Sequence, residues 1–195
     1  SIMNVYDSEG VRYEEPQLKV MGIESVRSST PAACKEKMKG IFKIIMNGTE
    51  DDAIGYIEDF REEFSKLAAE DIFFPRSVRG LEKYHDAAHL YRKGTPIHVK
   101  GALMYNKLLK DNNLLNSYPT IKDGEKIKFA YLKKPNPVGD SVIAILNNLP
   151  PEFGLNEYID YDLQFNKSFI EPMSSVMGAI GWKTEHVSTL EDFFG

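Results

Sequence analysis

Residues 30–67 read TPAACKEKMKGIFKIIMNGTEDDAIGYIEDFREEFSKL, and this stretch decides the fold. Two apolar stripes at spacings of three and four run through it. Cys34, Met38, Ile41, Phe42 and Ile45 form the first; Ile54, Ile57, Phe60, Phe64 and Leu67 form the second. Such spacing puts each set on one face of an α-helix. Thr30 suits the N-cap of the first helix and Pro31 its first position, where a missing N–H costs nothing. Asn47-Gly48 ends that helix, and Thr49 with Asp52 makes a capping box, in an Asp variant, that opens the second. The short chain between two such stripes predicts an antiparallel helical hairpin.

Upstream the chain reads as extended. Residues 3–6 and 11–14 flank Asp7-Ser8-Glu9-Gly10, a type I turn by its Asp and Gly, and residues 17–22 supply a third short strand after Pro16. Strands this short are marginal without a sheet to join, which points to a domain continuing upstream. Downstream, Pro75 breaks the chain, residues 78–91 lean helical, and Gly94-Thr95-Pro96 breaks it again. A helix is expected over residues 100–110. Residues 126–132 alternate Ile127, Phe129 and Tyr131 against Lys126 and Lys128, a strand pattern, and after Pro135-Asn136-Pro137 a second strand covers residues 141–146. Residues 158–170 read as a helix that Pro172 interrupts. The expected class is α+β, mostly helical with a small β-hairpin element.

Hydrophobic residues make up 42% and charged residues 27% of the 195 positions, the balance of an ordinary globular chain. No apolar run approaches the roughly 18 residues that span a bilayer, so no membrane partner is expected. Residues 1–4 have neither the basic nor the apolar region of a signal peptide and no initiator Met, which points to a processed or cut chain. The single cysteine, Cys34, has no internal partner and a helical setting; a buried thiol in a reducing cytoplasm is expected.

The net charge of −5 conceals a segregation. Residues 1–74 carry 9 Lys and Arg against 15 Asp and Glu, a balance of −6; residues 75–134 carry 13 against 5, or +8; residues 135–195 carry 2 against 9, or −7. A basic band between two acidic flanks either meets a polyanion or pairs with its own flanks, and charge alone leaves the two level. The band also holds aromatics, in Lys83-Tyr84, Tyr91-Arg92-Lys93, and Lys100 followed by Tyr105-Asn106. Lys and Arg neutralise phosphates, while Tyr and Asn bond phosphate or sugar without reading sequence.

Catalytic patterns are weak. His85-Asp86-Ala87-Ala88-His89 sets two imidazoles at i and i+4, but Asp86 stands where metalloproteases carry Glu, and no third ligand lies nearby, so no metal site is expected. Gly178 and Gly181 make an isolated G-x-x-G, and Asp51-Asp52 and Glu62-Glu63 read as solvated helix faces. No catalytic residue is assigned. The end of the chain, Ser188-Thr189-Leu190-Glu191-Asp192-Phe193-Phe194, presents one aliphatic and two aromatic anchors, a peptide that docks either on its own core or in a groove of another protein.

Lys19-Val20-Met21-Gly22-Ile23-Glu24, with Asn4-Val5-Tyr6-Asp7-Ser8-Glu9-Gly10-Val11-Arg12-Tyr13 before it, resembles the end of the palm in family B DNA polymerases, specifically those of T-even-like bacteriophages. Ile97-His98-Val99-Lys100-Gly101, Asp123-Gly124-Glu125-Lys126, Asn136-Pro137-Val138-Gly139-Asp140 and Lys167-Ser168-Phe169-Ile170 with Pro172 resemble that family's thumb, and residues 190–194 its sliding-clamp-binding peptide. The resemblance implies a palm end with short antiparallel strands over residues 1–28, a thumb over 29–181 and a flexible tail over 182–195. It implies duplex primer–template as partner, with Lys19, Gly22, Arg27, Ser28 and Ser29 near the primer strand. Lys83, Tyr84, Lys100, Tyr105 and Asn106 would face the duplex, and Leu190, Phe193 and Phe194 the clamp. Metal-binding aspartates, and with them Mg, would belong to a part of the palm upstream of this chain, which alone would be inactive. The rest of the polymerase is the third implied partner, and the cytoplasm of an infected bacterium the implied setting. Residues 85–93 depart from the family's Gly/Pro-rich loop by leaning helical; Arg92 and Lys93 enter the DNA-binding set on charge. A stand-alone module whose basic band binds an acidic protein is the other reading.

Overall fold

The structure, a computed structural model, describes residues 28–186. Helices α1 (Ala32–Asn47) and α2 (Glu50–Phe64) form the expected hairpin. Pro31 rather than Thr30 occupies the flanking position of α1, one residue later than the sequence pattern places it. The capping box is present in both directions: the Asp52 N–H donates to Thr49 Oγ1 at 3.2 Å, and the Thr49 N–H donates to the Asp52 carboxylate at 3.0 Å. Gly40 makes room for the Tyr56 side chain of α2, since a Cβ there would lie 2.1 Å from the Tyr56 hydroxyl. Lys37 crosses the seam, its ammonium 5.3 Å from the Phe60 ring centroid and 2.6 Å from Glu63.

In chain order there follow one helical turn, α3 (Ala69–Ile72), strand β1 (Phe74–Ser77), a second turn, α4 (Leu81–Tyr84), and a miniature hairpin of β2 (His85–Asp86) and β3 (Leu90–Tyr91). Helix α5 (Ile97–Asp111) leads to strands β4 (Lys126–Tyr131) and β5 (Val142–Ile145). Two 3₁₀ turns, Pro151–Phe153 and Asn156–Tyr158, precede α6 (Tyr161–Phe165), a π-helical turn (Asn166–Ile170) and α7 (Glu171–Gly178). Strands β1, β4 and β5 make an antiparallel sheet in that order, with Phe74 opposite Phe129 and Phe129 opposite Ala144. Helix α5 lies on the face that carries Phe129 and Ala144; a Cβ on Gly101 would meet the Ala144 backbone nitrogen at 2.9 Å. The α+β class expected from the sequence holds.

Three local expectations do not. Pro75 does not break the chain but sits within β1. The Val78 N–H and carbonyl pair with Glu125 and Gly124 on the β4 side, so residues of the same parity face β4, and Pro75 turns its missing N–H to the other edge, which no described strand pairs. Residues 78–91 are not a helix. The Asp86 carboxylate accepts the N–H groups of Ala88 at 2.8 Å and His89 at 3.0 Å, an Asx turn that competes with helical pairing, and Leu90 at φ 70° closes the loop. His85 and His89 consequently do not share a helix face. Finally, Pro172 does not interrupt the helical run. The π-helical turn just before it shifts the bonding, so the Glu171 N–H reaches the Asn166 carbonyl and the proline sits at the start of α7.

Helical layer and sheet are joined by Gln164, which is fully buried. The β1–β4 register places residue 72 opposite residue 131, but β1 has ended there. The Gln164 carboxamide takes the place of the absent pair: its Oε1 accepts the Tyr131 N–H at 3.0 Å and its Nε2 donates to the Ile72 carbonyl at 2.9 Å. Around it, Phe165 and Phe169 pack edge-on against Phe60, and Phe165 likewise against Phe64. Cys34, also fully buried, donates to Ser168 at 3.4 Å, and burial pushes its thiol up to about 11.

Gln164→Leu keeps the volume and strands two buried backbone groups, so we expect a loss of about 2–4 kcal/mol in urea unfolding; a loss below about 1 kcal/mol would remove this role. Cys34 should resist a thiol-specific reagent at pH 8 in native protein and react promptly in denaturant, as measured by absorbance.

Candidate nucleic-acid interface

The basic band keeps its charge for solvent. All its Lys and Arg except Lys100 and Lys128 are exposed. Among the described residues, none forms an ion pair with a carboxylate of either flank; Lys107 pairs with Asp111 inside the band. Flank acids pair instead with flank lysines: Glu36 with Lys39, Glu62 with Lys66, Glu63 with Lys37, Glu171 with Lys167. Among the described residues the flanks do not neutralise the band, one of the two readings open on charge alone.

A platform for part of this charge is built from α4, the β2–β3 hairpin and α5. Asp123 holds its base, its two carboxylate oxygens accepting the N–H groups of Gly80 at 3.0 Å and Leu81 at 2.9 Å. These are first-turn donors of α4 that have no helical partner. Gly80 takes φ 83° there, a conformation suited to glycine. Lys83 is exposed with its ammonium 5.0 Å from the half-buried Tyr84 ring, and the Arg92 N–H donates to the Tyr84 carbonyl at 2.9 Å. Arg92 and Lys93 therefore stand exposed at the hairpin exit, in a turn that Thr95 fastens by donating its hydroxyl to the Arg92 carbonyl at 2.7 Å.

Lys100 lies 5.0 Å from the centroid of Tyr91, whose hydroxyl donates to Asp140 at 2.7 Å. Burial and that bond push the Tyr91 phenol up to about 12, so it remains a donor at every physiological pH. On the hairpin, bonds from the His89 and Ala88 N–H groups hold the Asp86 carboxyl below its ordinary range.

Ser28 and Ser29 lie elsewhere, in a groove with Pro75, Arg76, Ser77 and His98. A second groove shares Ser29 and Arg76 and continues past Phe129 and Tyr131 to Lys167 and Glu171. Arg76 and His98 were not singled out in the sequence, because residues 28, 76 and 98 meet only through the pairing of β1 beneath α5. The flanking charge of Arg76 within the basic band was the available signal.

Tyr105 lies in the core rather than on a surface, whereas Asn106 is half-buried and lines the groove between α5 and residues 85–91. Tyr105 is 2% exposed, packs against Phe153 and donates its hydroxyl to the Pro119 carbonyl at 3.2 Å. The Asn106 carboxamide donates to the Ile121 carbonyl at 2.9 Å and accepts the Ile121 N–H at 2.8 Å, so both of its ends hold the loop after α5. Lys19, Gly22 and Arg27, and the tail residues Leu190, Phe193 and Phe194, lie outside the described residues. Among the described residues, no group of three or more His, Cys, Asp or Glu is arranged to hold a metal ion, and no helix is long and apolar enough to cross a membrane.

No family model matches the chain. Among curated proteins it is 32% identical over 197 residues to the DNA-directed DNA polymerase of Enterobacteria phage T4, an alignment covering 99% of this chain and 21% of that protein. The DNA-directed DNA polymerase of Escherichia phage RB69 is likewise 32% identical over 197 residues, with 98% of this chain and 21% of the relative covered. The chain thus spans about a fifth of the length of the relatives it matches. Along essentially its whole length, it matches a segment of phage DNA-directed DNA polymerase.

Proposed function

We propose that this chain is the duplex-gripping thumb segment of a family B phage replicative DNA polymerase, ending in a peptide that binds a sliding clamp. The observation that carries the reading is the largely exposed basic band, which among the described residues forms no ion pair with its acidic flanks, on a chain that matches phage DNA polymerases over 99% of its length. Lys83, Arg92, Lys93 and Lys100 supply phosphate neutralisation from one platform, while Tyr84 and Tyr91 stiffen the lysines that lie over their rings. Tyr105 and Asn106 serve the grip indirectly, by fixing α5 and the loop that follows it. Contacts of this kind position a duplex without reading its sequence.

On this reading Lys19, Gly22 and Arg27 lie along the primer strand. Two-metal nucleotidyl transfer, with its Mg ions, belongs to the rest of the polymerase, which is the chain's covalent neighbour, in the cytoplasm of an infected bacterium. The peptide with Leu190, Phe193 and Phe194 tethers the enzyme to a ring on the same duplex, so that re-binding DNA becomes an intramolecular event.

Fluorescence anisotropy with an unrelated pair of duplexes tests the grip. Binding should be equal for both and fall steeply with salt, and the double substitution Arg92→Ala, Lys93→Ala should lower the log–log salt slope by about 2. Salt-insensitive binding, or none at low ionic strength, would favour an acidic protein partner instead. For the tether, Leu190→Ala or Phe193→Ala should weaken clamp binding in calorimetry with an unchanged melting temperature. Equal clamp affinity after deletion of residues 188–195 would sink that part of the proposal.

A further inference from the structure

The groove lined by Ser28, Ser29, Pro75, Arg76, Ser77 and His98 has an electrostatic imbalance. Arg76 and His98 are its ionisable groups, and neither side chain makes a hydrogen bond or ion pair with another described residue. Half-buried, the His98 ring sits 6.3 Å from the Phe129 centroid, with the sheet on one side and the Arg76 guanidinium nearby. Burial, and secondly the Arg76 charge, hold the imidazole below its ordinary range.

Among the described residues, the neighbouring elements offer no carboxylate to the groove. Strand β1 contributes Arg76 and two uncharged residues, and the 28–29 turn contributes two hydroxyls. The β4 residues on that face are Phe129 and Tyr131, neither of them a carboxylate. The π-helical turn and α7 contribute Lys167 and Glu171, which face each other at 3.9 Å in the adjoining groove. On α5 itself, Lys100 is turned to Tyr91. Among the described residues, the guanidinium, the imidazole and the hydroxyls of Ser28, Ser29 and Ser77 thus line the groove with no carboxylate beside them, a donor set that matches the oxygens of a phosphodiester.

We infer that the Arg76–His98 groove is a phosphodiester subsite for the bound duplex, and that its occupation draws a proton from solvent onto His98. The inference rests on the duplex-binding reading above and adds residues and a pH dependence to it. The sign follows from linkage. An anion in the groove stabilises the imidazolium, so the pKa of His98 is higher in the complex than in the free chain, and affinity rises as pH falls between the two values. Above both values the ring is neutral in both states and the contribution vanishes.

The test is a proton NMR titration of the His98 ring in the wild-type chain, with and without a short duplex at constant low salt. Anisotropy on the same samples reports binding. Duplex should raise the His98 midpoint by about one unit, equivalent to roughly tenfold tighter binding at low pH from this ring. His85, His89 and His186 serve as internal comparisons. Arg76→Gln should weaken duplex binding, and His98→Gln should flatten the pH profile of affinity while leaving the salt contribution of Arg92 and Lys93 in place. Inorganic phosphate, at the same total phosphate, should move His98 far less than duplex does.

An unmoved His98 midpoint in chain that visibly binds duplex would overturn the groove assignment and leave the thumb reading standing. No binding by anisotropy would remove the thumb reading and this inference together. A full shift with inorganic phosphate alone would also overturn it, marking an isolated anion site rather than a duplex subsite.

Discussion

One carboxamide keeps two layers of this protein in register. Where β1 turns away into α3, a carbonyl and an N–H are left facing each other across a gap with no strand between them, around a fully buried side chain. Gln164 fills that gap from α6. Because α6 also carries Phe165 into the aromatic cluster with Phe60 and Phe64, the same helical turn commits the α1–α2 hairpin to the sheet. Leaving either backbone group unpaired costs more than the bond itself contributes, so the constraint is a strong one despite its small size. Ser168 and Cys34 extend it into α1.

From that fixed base the charged side of the molecule is assembled by short-range anchors. Asp123 ties the start of α4 to the turn before β4, Thr95 ties the hairpin exit, and Asn106 ties the loop beyond α5. Each uses a polar side chain to satisfy backbone groups, and none uses a lysine or arginine of the band. Apart from Lys107, which pairs with Asp111, and Lys128, which donates to the Glu70 carbonyl, the described cations of the band make no hydrogen bond or ion pair in the fold. Their rigidity comes from aromatic neighbours and backbone turns, which leaves the positive charge exposed without leaving it loosely placed.

Much of this was legible in the chain's own pattern. The stripes from Cys34 to Ile45 and from Ile54 to Leu67 specify helices because their period is long-lived and their caps are local. Strands β4 and β5 were visible for the same reason. What escaped depended on partners distant in sequence. Pro75 reads as a breaker until the parity of β1 shows its nitrogen facing away from β4. Residues 85–91 carry helix-friendly alanines, but the Asp86 side chain outbids the helix for the N–H groups of Ala88 and His89. Tyr105 and Asn106 look like ligand contacts beside a lysine, yet helical phase turns one into the core and the other onto residue 121. The Arg76–His98 groove had only the charge of Arg76 within the basic band as a signal, since its walls come from three separate segments.

Pro75 has one more effect, in the sheet's dealings with other molecules. A free strand edge is a template on which another chain can lay down its own backbone, the first step toward fibrous aggregation. Along β1, Pro75 has no donor to offer such a visitor, and its neighbour Arg76 carries a charge that a stacked copy of itself would repel. The edge is thus guarded against self-association by the residue that made the strand hard to see.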